Sequence, residues 1–175
     1  MSQRWIQPHA WLAVLLCAVS LAGCGKTITV PESDPTPPEI TLHVFGVGDP
    51  LELSPGDANV HRTVAADAEI VLLAVARDAD GGVKNVRING AATVLCQPSG
   101  LSVHFVSQNP EEDGVGPGDE ARDSRSTNLH VKVAELRDFC PGDSVFQSLS
   151  AGYSASAENF HGGVASSPAF SISHP

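Results

Sequence analysis

The sequence predicts an all-β fold, a single antiparallel two-sheet sandwich over residues 40–175. Three observations carry that prediction. Apolar and polar residues alternate with a period of two wherever a pattern can be read, and Gly, Pro, Asn and Asp separate the runs. No segment repeats apolar residues at helical spacing. Residues 40–175 suffice for one domain with a real core, are too few for two, and carry no evident internal repeat.

Taken in order, the expected strands are 40–45, 68–77, 83–89, 91–96, 101–107, 128–138, 145–157 and 164–173. Ile70 to Ala76 is apolar on both parities and rich in β-branched residues, which suits a central strand. Val86 and Ile88 alternate with Arg87 and Asn89, and Asn89-Gly90 is a strong hairpin-turn signal dividing this run from the next. Leu101, Val103 and Phe105 alternate with Ser102 and His104; Leu129, Val131 and Val133 alternate with His130 and Lys132. Pro141-Gly142-Asp143 marks the turn before the penultimate run.

Ahead of the domain, residues 1–10 hold one charge, Arg4, and Trp11 to Ala22 is an apolar stretch of signal-peptide length, too short to span a bilayer. It ends in Leu21-Ala22-Gly23-Cys24. This box resembles the cleavage site of bacterial lipoproteins. The resemblance implies removal of residues 1–23, diacylglycerol on Cys24, palmitate-type acyl chains in the bilayer, and a protein fixed to the cell envelope. Gly rather than Asp at position 25 implies the outer membrane if the host is diderm. Lys26 to Glu39 contains Pro31, Pro35, Pro37 and Pro38 among polar residues, so residues 24–39 read as a lipidated cysteine followed by a solvated tether.

Composition narrows the function. Removing residues 1–23 takes away Arg4 and no acid, leaving nine Lys/Arg against twenty Asp/Glu, a balance of −11. Such a surface repels phosphate backbones, which argues against nucleic acid as a partner. Trp5 and Trp11 leave with the signal and Tyr153 is the sole tyrosine, so a stacked sugar platform is hard to build. With Cys17 lost and Cys24 acylated, Cys96 and Cys140 remain, and in an oxidising compartment they are expected to form a disulfide. The C-x-x-C spacing of a redox or metal pair is absent. If strands 101–107 and 128–138 pair, both cysteines fall at one end of the sandwich.

Two further stretches resemble bacterial immunoglobulin-like and fibronectin type III modules. Glu69 to Gly90, E-I-V-L-L-A-V-A-R-D-A-D-G-G-V-K-N-V-R-I-N-G, is similar to their second and third strands, joined by an Asp-x-Asp-Gly turn. Tyr153 to Gly162, Y-S-A-S-A-E-N-F-H-G, is similar to the penultimate strand and the turn after it. The resemblance covers about half the domain. It implies an immunoglobulin-like sandwich with Tyr153 as a corner tyrosine whose hydroxyl bonds upstream backbone. The chain departs from the antibody pattern in having no core Trp on the third strand and Ala155, not Cys, two residues after Tyr153.

Several groups carry candidate chemistry. Asp78 and Asp80, in Asp78-Ala79-Asp80-Gly81-Gly82, could offer oxygens to calcium, or make side-chain turns. Gln108 to Ser126 is a long polar insertion whose Glu111, Glu112, Asp113, Asp119, Glu120 and Asp123 form either a contact loop for a basic partner or cation, or a solvated flap. Phe160-His161-Gly162-Gly163 presents an aromatic and an imidazole in a turn. His104 and His130 both point outward by parity and could share a metal if their strands are neighbours. Gly152-Tyr153-Ser154-Ala155-Ser156 resembles a nucleophile elbow but lacks its last glycine. No catalytic set is expected. The expected function is a non-enzymatic, lipid-anchored envelope module that meets another envelope protein or surface component; the alternatives are a calcium or small-ligand binder using the acidic loops, and an accessory subunit of an envelope complex.

Overall fold

A computed structural model of the chain describes residues 25–98, 100–108, 118 and 120–175, with backbone alone for 101–108. The signal segment, Cys24, Glu111, Glu112, Asp113 and Asp119 lie outside the described residues. Twelve strands and one short helix follow in order: β1 Thr27–Thr29, β2 Glu39–Phe45, β3 Leu51–Leu53, β4 Val60–Thr63, β5 Glu69–Arg77, β6 Val83–Gln97, β7 Gly100–Gln108, β8 Glu120–Arg122, β9 Ser124–Lys132, α1 Val133–Arg137, β10 Val145–Asn159, β11 Val164–Ser166 and β12 Phe170–His174.

The fold is the expected all-β sandwich. One sheet runs β4-β12-β10-β6-β7, with β11 on the far half of β10; the other runs β3-β2-β5-β9; a two-stranded ribbon joins β1 to β8. Pairing is antiparallel except between β12 and β4, which run parallel. Period-two alternation places Ile40, Leu42 and Val44 of β2 in the core with Ile70, Leu72 and Ala74 of β5. Facing them are Val86, Ile88 and Val94 of β6, Ala151, Ala155 and Ala157 of β10, and Phe170 and Ile172 of β12. Fully burying each of the larger aliphatic side chains contributes roughly 1.5–3 kcal/mol. β5 is bonded on both edges, by β2 and β9, as expected of a central strand; its even-numbered residues fill the core while Val71 and Val75 on the opposite face are half-buried.

Asn89-Gly90 is not a turn. β6 runs straight through it as one 15-residue strand, pairing with β10 from Gln97↔Val145 to Val83↔Asn159. Gly90 stands opposite Tyr153, and a Cβ built on Gly90 would collide with the Cδ1–Cε1 edge of the tyrosine ring, 2.7 Å from Cε1. The glycine serves close approach across a ladder rather than chain reversal.

The strand expected over 128–138 ends at Lys132. Val133 continues the buried alternation, but the chain then turns as α1, whose Val133 and Leu136 are both buried and whose first N–H donates to Ala68 O at 3.0 Å. Lys132 Nζ and Glu135 Oε1 pair across this turn at 3.0 Å. The run expected over 164–173 is split at Ser167-Pro168. Ser167 Oγ accepts from Ala155 N at 3.0 Å and donates to Pro168 O at 2.9 Å, filling the ladder where proline interrupts it. β1, β3, β4 and β8 have three or four residues each, too few for a periodic signal.

Cys96 and Cys140 form the expected disulfide, with Cα atoms 5.6 Å apart. The strand pairing expected to bring them together does not occur. β7 pairs with β6 and β9 pairs with β5, in different sheets; the bridge instead joins the end of β6 to the loop between α1 and β10. Arg137 lies over the Phe146 ring at 4.9 Å, and His174 stacks on the same ring at 5.7 Å, closing this end.

Two outcomes test this architecture. Gly90→Ala is expected to lower stability by about 1–3 kcal/mol, because the tyrosine ring must leave a packed position; urea denaturation reads it, and an unchanged midpoint means the ring moves aside freely. Replacing both Cys96 and Cys140 with Ala is expected to cost roughly 4 kcal/mol, the chain-entropy value for a loop spanning a sequence separation of 44.

Candidate functional site

The end of the sandwich opposite the disulfide gathers most of the sequence's candidate residues. It is organised by Asn159, the last residue of β10, which is fully buried. Its Oδ1 accepts from His161 N at 3.0 Å and Gly163 N at 2.8 Å, closing the Phe160–Gly163 turn. Its Nδ2 donates outward to Thr36 O at 2.8 Å and Asp34 Oδ2 at 3.3 Å. One amide thus ties the turn to a segment more than a hundred residues earlier. Sequence reasoning missed both Asn159 and Asp34; the only local signal was an Asn three residues before a Gly.

That segment is the stretch expected to be a solvated tether. Instead it is laid against the domain from Gly25 onward. Val30 is 1% exposed. Lys26 O accepts from Asp123 N at 2.9 Å, Val30 O from Gly118 N at 2.9 Å, and Gly25 O from Arg122 Nη1 at 2.6 Å. Thr27, Ile28 and Thr29 pair with Arg122, Ala121 and Glu120. His161 Nε2 donates to Pro31 O at 2.9 Å. Prolines remove donors from this segment, so its attachment relies on its carbonyls and on donors supplied by the sandwich.

The Asp78 turn lies beside it. Asp78 Oδ1 accepts from Gly81 N at 2.6 Å, its carbonyl accepts from Gly82 N at 3.2 Å, and its own N–H donates to Asp123 O at 2.8 Å. Asp78 is 9% exposed, and Oδ2 is buried with no hydrogen-bond partner. Asp80 is exposed on the outside of the turn, so the two aspartates differ in setting. Phe160 packs against Gly82 and His161 is bonded to Pro31, so the turn holding them is a packed joint rather than a free display.

Of the acidic insertion, Glu120 is exposed on β8 opposite Thr29, and Asp123 contributes backbone bonds to both Lys26 and Asp78. His104 and His130 do not share a strand pair: His104 is opposite Ala92 in one sheet and His130 opposite Val71 in the other. That removes the shared-metal arrangement. Among the described residues no group of three or more His, Cys, Asp or Glu side chains is placed to hold a metal ion, and no helix is long and apolar enough to cross a membrane. Ser154 lies mid-strand opposite Asn89. An open groove of about 510 Å³ lies near the end of β12, its lining mostly apolar, with Leu95 and Pro175 beside hydroxyl-bearing Thr63, Thr93 and Ser173.

Tyr153 is 3% exposed and stands in the middle of β10, between Gly90 and Phe170, not at a strand start. Its hydroxyl has no hydrogen-bond partner among the described residues. The corner role implied by the resemblance is therefore not what holds it; ring packing over Gly90 is.

No protein-family model and no curated protein matches this sequence.

Burial pushes the Tyr153 hydroxyl up to about 12 from an ordinary 10.0. Because the raised value belongs to the folded state, stability is intact below pH 10.0 and falls as pH rises towards about 12, when the unfolded chain ionises first. The loss attributable to this group is about 2–3 kcal/mol. Urea midpoints across this alkaline window are expected to drop less for Tyr153→Phe than for the unaltered chain, and parallel curves would count against the buried hydroxyl as their cause.

Proposed function

We propose that the chain is a non-enzymatic, lipid-anchored module of the cell envelope, an immunoglobulin-like sandwich held at a membrane surface through Cys24 and offering its loops or free sheet edges to another envelope component. The observation that carries the reading is Leu21-Ala22-Gly23-Cys24 at the end of a signal-length apolar run. Two features support it. The Cys96–Cys140 disulfide suits an oxidising compartment, and an all-β sandwich with edge strands at β4, β7, β3 and β9 suits partner recognition by strand addition or loops.

The attachment of Gly25 gives this proposal a geometry. A Cβ at Gly25 would lie 2.6 Å from Ser124 Oγ and 2.8 Å from Asp123 Oδ1, so position 25 has no room for a side chain. Gly25 directly follows Cys24. Acyl chains on Cys24 would thus leave the domain next to its own surface, and the end bearing the Asp78 and Asn159 turns would rest close to the headgroups. Several acyl chains together make such an anchor stable, each buried methylene contributing about 0.8 kcal/mol.

Metabolic labelling with palmitate followed by membrane fractionation tests the reading. The unaltered chain is expected to take up label and sediment with membranes, and Cys24→Ser to lose the label and become soluble. An unlabelled, soluble wild-type chain would sink the proposal.

A further inference from the structure

Arg137, the last residue of α1, has a guanidinium that is held in place but not used. It makes no ion pair and no side-chain hydrogen bond among the described residues, and its Nε is shut off from solvent without a partner. Its position is nevertheless fixed. The group lies 4.9 Å over the Phe146 ring, and the same ring is stacked by His174, whose Nδ1 donates to Val64 O at 3.0 Å. Beside it opens a pocket of about 420 Å³ lined by Ala134, Arg137, Asp138, Cys140, Ser144 and Phe146. Part of the wall comes from the loop that the Cys96–Cys140 disulfide fastens to β6. Phe139 and Val145, each next in the chain to lining residues, are among the few large apolar side chains left exposed.

A guanidinium is a planar fork of donors that matches a carboxylate with two parallel hydrogen bonds. An ordinary surface arginine loses side-chain freedom when a ligand takes it; here the Phe146 ring has already removed part of that freedom, so less is lost on binding. The exposed Asp138 in the lining and the formal charge of −10 on the chain disfavour the double charge of a phosphate and leave a single carboxylate as the fitting anion. We propose that the Arg137 pocket takes a carboxylate of a partner protein's peptide chain, with an apolar side chain beside it resting on Phe146. This names the contact surface of the envelope module proposed above and rests on that reading for the partner's compartment, while the pocket itself does not involve Cys24. β6 and β10, fifteen residues each, set this end roughly 45 Å from the Asn159 turn. The partner therefore approaches from the side away from the anchor.

The full chain, isotope-labelled and purified in detergent, is titrated by NMR with two probes, N-acetylglycylphenylalanine and N-acetylglutamylphenylalanine amide, while the Arg137 Nε–H signal and the amides of residues 142–146 are followed. The first probe offers its carboxylate at a chain end and the second on a side chain, so the tighter of the two identifies the source. Saturable shifts are expected, and replacing the carboxylate of that probe by its neutral amide is expected to weaken binding at least tenfold. Arg137→Gln is expected to lose the response, and Arg137→Lys, which keeps the charge without the fork, to weaken it about tenfold. Asp138→Asn, which leaves the Phe146 stack in place, is expected to tighten binding by about two- to fivefold by removing a like charge. No shift with either probe at about 10 mM, equal binding of acid and amide, acetate binding as tightly as the peptides, or a response unchanged in Arg137→Gln overturns the inference. Cys24→Ser is expected to bind as the unaltered chain does, so a failure here leaves palmitate labelling untouched and a failure of labelling leaves the pocket untouched.

Discussion

The pairing of β6 with β10 is the constraint on which the remaining structure depends. Two 15-residue strands lie in one ladder, and that length is possible because Gly90 yields space for the Tyr153 ring at its centre. Two long-range ties then sit at its opposite ends. At one end the β6 terminus carries Cys96, bridged to the loop that leads into β10. At the other, β6 begins after the Asp78 turn and β10 finishes on Asn159, whose amide holds the N-terminal segment. Shortening the ladder at a hairpin near residue 90 would separate these two ends into unrelated units. Arg125, donating Nε to Val83 O at 2.6 Å, ties the second sheet to the same strand.

What the sequence revealed and what it concealed divide along physical lines. Ile70 to Ala76 could be read as a central strand because burial on both faces leaves an apolar signature in composition alone. The disulfide was legible by elimination, from the number of cysteines rather than from any strand geometry, and the geometric argument offered beside it was mistaken. Asn89-Gly90 misled because the same dipeptide serves two needs, a positive φ in a turn or an absent side chain in a ladder, and only the partner strand distinguishes them. Tyr153 is that partner, more than sixty residues away.

The N-terminal segment was misread for a related reason. Proline and polar residues at 26–39 describe what the segment cannot do by itself, namely form a ladder or a core. They are silent about donors supplied from elsewhere. Arg122, Asp123, Gly118, His161 and Asn159 supply them, and each is remote in sequence. Asp34 accordingly looked like an ordinary linker aspartate, and Asn159 like an ordinary turn residue. Asp78 was noticed in its turn beside Asp80, which is near in sequence and exposed, whereas Asp34, distant in sequence, lies against Gly81 of the same turn.

The docking of Gly25 onto β8 and β9 also determines how the molecule would respond to tension. With an anchor at residue 24 and a partner pulling on the sandwich, load enters at Gly25 and meets the three-residue ribbon of β1 and β8 before any long ladder. That ribbon and the Asn159 amide form a mechanical fuse. Once they part, residues 25–38 extend as free chain, roughly 45–50 Å of reach at about 3.3–3.6 Å per residue, without any break in the β6–β10 ladder. An anchor at Cys24, as proposed above, would therefore hold the same fold in either of two ways, close against a surface or on a short leash, with the core unchanged between them.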